Sequence, residues 1–175
     1  SRLSIKKEDF NGFRKNLFLK RSNTSRKDEI SLRFKTNWQI NKQSYLDLIY
    51  FKNDFKDPAD IWTIDGSLNT LSDRPGMDSQ DSEALGINID FNTEPNRLKF
   101  LYSETDTDVI FSYDADWGNP ESHDPYVYDY FSETLRKRET SNVEMRLLSN
   151  ESQNSFLKKI QWLVGFSVFE IEESN

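Results

Sequence analysis

The sequence predicts an α+β fold: a mainly antiparallel, curved sheet of about six to eight strands with one N-terminal helix and two C-terminal helices. Three observations carry this expectation. Apolar residues alternate strictly over several short runs, the period of a half-buried strand. Near both ends of the chain they fall instead at helical spacing. Capping residues stand where those end segments begin.

Taken in order, Ser4 is placed to cap a helix on which Ile5, Phe10, Phe13 and Leu17 form an apolar stripe, giving a basic N-terminal helix at 4–20. A polar stretch, Arg21 to Asp28, ends it. Ile30, Leu32, Phe34, Trp38 and Ile40 then alternate, with Thr36 as the one interruption, and Arg33 and Lys35 face the other way. Further strands are expected over 45–51 and 61–64. Residues 71–83 form a polar loop turning at Arg74-Pro75-Gly76. Alternation resumes at Leu85, Ile87, Ile89 and Phe91, then at Leu98, Phe100 and Tyr102, across a hairpin-length connection. Val109, Phe111 and Tyr113 make another strand.

In the last third, Asp124-Pro125 reads as a helix start, with Val127, Tyr130, Phe131 and Leu135 on its apolar face. A strand at 143–147 follows. Asn150 then caps a helix carrying Phe156, Leu157, Ile160 and Leu163, which ends at Gly165, and a strand closes the chain at 166–171. The whole reads as a single domain over 1–175, with a β-rich middle at 29–114 and an α/β C-terminal part at 124–172. It opens on Ser1 and not Met, as a processed chain or a piece of a longer protein would.

Composition narrows function by exclusion. Without cysteine there is no thiol chemistry, disulfide scaffold or Cys–zinc site, and a reducing, cytoplasmic setting is expected. No apolar run approaches the roughly 18 residues of a spanning helix, so the segment reads as soluble with no membrane span. Aromatic residues at 14% supply the bulk for a folded domain. The net charge of −7 is uneven: residues 1–36 carry a balance of +7 and residues 53–133 one of −15. The six glycines form no phosphate-binding motif, and no cofactor is expected.

The candidate sites follow from these charges. Asp106, Asp108, Asp114 and Asp116, with Trp117 and Tyr126, form an acidic and aromatic surface suited to a basic protein partner or a small charged ligand. A non-catalytic recognition module, antidote-like, inhibitor-like or a sensor domain, is the leading expectation. Arg14, Lys15, Lys20 and Arg21, interleaved with Phe13 and Phe18, suit phosphate contact and base stacking, hence a nucleotide or nucleic acid. Asp65, Asp90, Asp114 and Asp116 are the carboxylates that a metal-dependent phosphodiesterase or nuclease would need. "TIDGSLN", residues 63–69, resembles the first strand of RNase H-like nucleases, and this resemblance implies a metal ligand at Asp65. That family's glutamate-bearing helix has no room in Ser103–Asp108. "DPYV", residues 124–127, is similar to a tetrapeptide of calcium-binding C2 domains, but a C2 domain places most of its strands after it, and only about 50 residues follow here. His123, the sole histidine, reads as an exposed loop or capping residue.

Overall fold

A computed structural model describes residues 1–93, 96–150 and 161–175, and every described element is a strand. The elements are β1 (Arg2–Phe10), β2 (Lys15–Asn16), β3 (Lys27–Asn41), β4 (Ser44–Pro58), β5 (Asn69–Thr70), β6 (Met77–Thr93), β7 (Asn96–Asp114), β8 (Phe131–Ser149) and β9 (Leu163–Ser174). Seven of them form one sheet in the order β1-β3-β4-β6-β7-β8-β9, with every neighbouring pair antiparallel. β2 and β5 make a small parallel pair in the loops.

The α+β expectation is therefore wrong, because no described residue is helical. The N-terminal helix at 4–20 is replaced by β1. Leu3 and Ile5 alternate with Arg2, Ser4 and Lys6, the strand pairs with β3 over its whole length, and a short lone helix would have only marginal stability. Phe10, Phe13 and Leu17 form no buried stripe; each is about half exposed. The helix expected after Asp124 gives way to extended chain. Tyr126, Tyr128 and Tyr130 stack at two-residue spacing, with ring centroids 6.5 and 5.9 Å apart, and Phe131 opens β8. Of the helix expected after Asn150, residues 151–160 lie outside the described residues. Asn150 itself donates to Asn92 Oδ1 and the Thr93 carbonyl, and Leu163 opens β9.

The strands also run longer than their apolar segments. Residues 61–64 are connection and not strand, whereas β6 begins at Met77, inside the expected polar loop. β7 joins two expected strands into one of 19 residues. Its middle, Ser103 to Asp108, keeps the period of two with acids on one face (Glu104, Asp106, Asp108) and threonines on the other (Thr105, Thr107). Threonine favours extended backbone, so the ladder continues through a polar stretch.

The two rims of the sheet differ. At one rim Asn41 to Ser44 is a tight reversal, the β6–β7 ladder runs to its last pair at Thr93 and Asn96, and the β8–β9 connection spans 150–162. At the other rim, 11–26, 59–76 and 115–130 are long connections. Gly76 lies against β7, where an added Cβ would sit 1.8 Å from the Ser112 carbonyl oxygen. Gly76→Ala should therefore cost about 1–3 kcal/mol through forced separation of the loop from β7, seen as a lower urea midpoint with the m-value unchanged.

Candidate functional site

Because directly opposed residues share a face, the register sorts every side chain of the sheet. One face carries Leu3 and Ile5 of β1, Ile30 to Ile40 of β3, and Leu46, Leu48 and Tyr50 of β4. Leu85, Ile87, Ile89 and Phe91 of β6 continue it, then Leu98, Phe100 and Tyr102 of β7. Val143, Met145 and Leu147 of β8 face Val168, Phe166 and Val164 of β9 and complete it. This apolar band crosses all seven strands and is uncovered. Trp38 is 68% exposed and Phe166 61%, and Ala59, in a loop, is the one buried hydrophobic residue among those described.

The band ends on a diagonal. On β1 its border toward the long loops is Ile5, since Lys7 faces Ile30, and from β3 onward the border starts at Ile30, which lies opposite Asp54. On β4 and β6 the border has moved to Tyr50 and Leu85, and on β7, β8 and β9 to Tyr102, Val143 and Val168. The drift is about six residue positions, roughly 20 Å at about 3.3 Å per residue, across a sheet width of about 24 Å. The strands are thus tilted by about 40° from the normal to the border, within the range of strand tilt from the axis in closed barrels. Beyond the border the same face turns charged. Lys52, Glu83, Asp106 and Glu139 share one row, and Glu104, Asp106, Glu139, Glu170 and Glu172 line one hollow there. Ile110 and Leu135, opposite each other, lie farther toward the loops.

The other face carries most of the paired charges of the sheet, largely self-neutralised, among apolar residues such as Ile49, Phe51, Leu101, Phe169 and Ile171. Asp90 is 1% exposed and takes both arms of Arg97, at 2.7 and 2.6 Å, with the Lys99 amine at 3.7 Å and the Tyr45 hydroxyl at 3.2 Å. The Arg97 guanidinium holds the Asp90 carboxyl below the usual carboxylate range, and the Asp90 charge in turn pushes the Tyr45 phenol up. Asp47 accepts from Asn37 and Asn88, and Arg146 pairs with Glu144.

The long loops are pinned by a buried polar knot. Asn16, Thr70, Asp60 and Ser72 are each at most 3% exposed, and Asp60 Oδ2 accepts from Asn16 Nδ2 and Thr70 Oγ1, both at 2.9 Å. Burial raises the Asp60 carboxyl above its ordinary value, against the hydrogen bonds from Asn16 and Thr70 and the charges of Arg14 and Arg21.

The sequence-predicted residues scatter over these regions. Asp106 and Asp108 stand in the charged zone, with Lys137 3.8 Å from Asp106. Asp114 and Asp116 shape the β7–β8 connection: Asp114 accepts from the Asp116 N–H, and Asp116 from Gly118 and Tyr130. Burial raises the Asp114 carboxyl. Trp117, at φ 62°, and Tyr126 are exposed in that connection. His123 is no free loop residue, because its ring bonds the Asp116 carbonyl at 3.1 Å and meets Tyr128 edge-on. Asp65 accepts from Ser67 N–H in a turn among the long loops, at the rim opposite Asp90. The four carboxylates of the nuclease reading are therefore not brought together, and among the described residues no three acids or histidines are placed to hold a metal. Arg14 donates to the Ser67 carbonyl at 3.2 Å, and Lys15, Lys20 and Arg21 lie in the same β1–β3 connection.

Sequence reasoning missed the band as a single surface, the Asp60 knot and the Asp90 cluster. The signal for the band was the repeated alternation; the signal for Asp90 was Arg97 and Lys99 at hairpin distance from it. No family model, curated protein or solved structure matches the chain.

Two carboxyls should respond to pH with opposite sign. Asp90 contributes stability present above the ordinary aspartate value of about 4 and lost as pH falls through its lowered one. Arg97→Ala should cost about 2 kcal/mol at neutral pH, the low end for a broken buried pair because Arg97 is partly solvated, and should flatten the acid limb of the stability curve. Asp60, being raised, favours the folded state while protonated and loses that contribution as pH rises through its raised value. Asp60→Asn should leave neutral-pH stability equal or higher, measured by urea unfolding across pH 4 to about 8.

Proposed function

We propose that this chain forms part of the wall of a β-barrel seated in a lipid bilayer, with the apolar band toward acyl chains and the polar face toward an aqueous interior. The observation that carries the reading is the band itself: continuous over seven strands, uncovered, and bounded on a diagonal of about 40°. Transmembrane strands need only about 9–11 residues, and the seven sheet strands have 9 to 19. Tyr50 and Tyr102 stand at the border with the charged zone, where aromatic girdles meet the membrane interface. Two of the three connections at one rim span only two residues, in the sense of the periplasmic rim of such barrels, while the third there, 150–162, and all those at the other rim are long.

A soluble partner sheet explains less. It would cover the band but leave the diagonal border and the charged strand extensions without a cause. No described helix is long and apolar enough to cross a membrane, which does not bear on strands. The expected soluble, cytoplasmic setting rested on that helix criterion and on the lack of cysteine. The expected recognition surface, Asp106 and Asp108 with their acidic neighbours, becomes in this reading the water-facing collar above the bilayer, where a basic partner would meet it.

The absence of cysteine makes the test direct, because single cysteines can be placed along β6 of the chain reconstituted in phosphatidylcholine vesicles. Cysteines at 85, 87, 89 and 91 should react with a membrane-dissolved maleimide and resist a charged one, with the reverse at 86, 88 and 92. Equal aqueous labelling of both sets would sink the proposal. Ile87→Arg should cost about 2–4 kcal/mol in lipid and little in a water-soluble sheet.

A further inference from the structure

We infer that Arg2, Ser4, Arg33 and Lys35 form a binding site for a multiply charged oxyanion of phosphate type. The inference rests on the register of the sheet and stands whether or not the barrel reading does. On the polar face the basic residues Lys6, Lys27, Arg97, Lys99, Arg136, Arg138 and Arg146 each have an acidic partner within 4.0 Å. Arg2, Arg33 and Lys35 share that face and have none among the described residues, and these three stand together. Arg2 lies directly opposite Lys35 and Ser4 directly opposite Arg33, across the β1–β3 pair.

Two like charges set opposite each other on one sheet face repel, at a cost that an acid in either neighbouring row would remove. On β4 the one acid in a neighbouring row, Asp47, is taken up by Asn37 and Asn88 and pairs with neither lysine nor arginine among the described residues, and the directly opposed residues are apolar. Lys35 faces Ile49 and Arg33 faces Phe51 on β4. The four side chains instead line a single hollow.

The chemistry of that hollow selects its occupant. Two guanidiniums present planar forks that match two oxygens of a phosphate, a lysine adds a mobile point charge, and a serine hydroxyl donates a further hydrogen bond. Opposed side chains start about 5 Å apart and diagonal ones about 7 Å, which spans one or two tetrahedral oxyanions. Three positive charges with no acid within 4.0 Å among the described residues favour an anion of charge two or more over chloride. Asp90, by contrast, already occupies the other strong cation cluster of this face.

The test is a titration of inorganic pyrophosphate with the full chain, followed by 31P line broadening. The wild-type chain should broaden the signal at millimolar ligand or below. The Arg33→Gln, Lys35→Gln double variant should bind at least tenfold more weakly, and Arg33→Lys should fall between, since it keeps the charge and loses the fork. Arg136→Gln, on the same face but paired with Glu173, and Arg14→Gln, in the loops, should bind as wild type. A far-UV spectrum like that of wild type assigns any loss in the variants to the site and not to unfolding. No broadening by the folded wild-type chain, or equal loss in the Arg136 or Arg14 variants, would overturn the assignment.

Discussion

The backbone ladder is what the rest of this structure depends on. Seven strands of 9 to 19 residues are joined edge to edge by antiparallel pairs, and apolar burial contributes little to holding them in place. The side chains that would form a core in a compact domain stand uncovered on one face. Register therefore carries unusual weight. A slip of one residue in any pair would send the apolar band and the charged network to each other's side. The turn at Asn41–Ser44 fixes that register at one end, and the Ser44 hydroxyl, bonded to the Asn92 N–H at 2.9 Å, ties it to the end of β6.

The opposite end is held by different means. There the connections are long, and buried polar groups replace tight turns as the organising element. Asn16 reaches Asp60 and the Ser72 carbonyl at once, so the β1–β3 and β4–β6 connections are clasped by one side chain. Asn119 extends the clasp to the β7–β8 connection through the Leu71 carbonyl at 3.0 Å. Each bond is modest alone, but the groups are dry, and any one left unpaired would cost more than it contributes when paired.

Much of the sheet was legible in the sequence. Period-two alternation located part of each of β3, β4, β6, β7, β8 and β9, because those parts face an apolar environment with one side and a polar one with the other. The failures share a cause. A five-residue window such as Leu3 to Lys7 fits two periods, and only pairing with Lys27–Asn41 decides between them. A cap misled in the same way: Asp124 stands in a turn of the β7–β8 connection, and aspartate suits turns as readily as helix ends. Strand lengths were underestimated because polar residues such as Thr105 and Asp106 extend a ladder without leaving an apolar trace. Of the site, the acids were visible and their arrangement was not. Whether Asp106 belongs with Asp114 or with Glu139 is a matter of register, which no single segment contains.

One feature of the topology reaches past the sheet itself. Seven strands joined only by antiparallel steps leave β1 and β9 pointing the same way. Edge joined directly to edge, whether within one chain or between two copies turned about a common axis, would meet in a parallel seam. A ring of purely antiparallel neighbours holds an even number of strands. Any set of strands that completes such a ring with these seven must therefore be odd in number, and its first and last members must both run against the direction of β1.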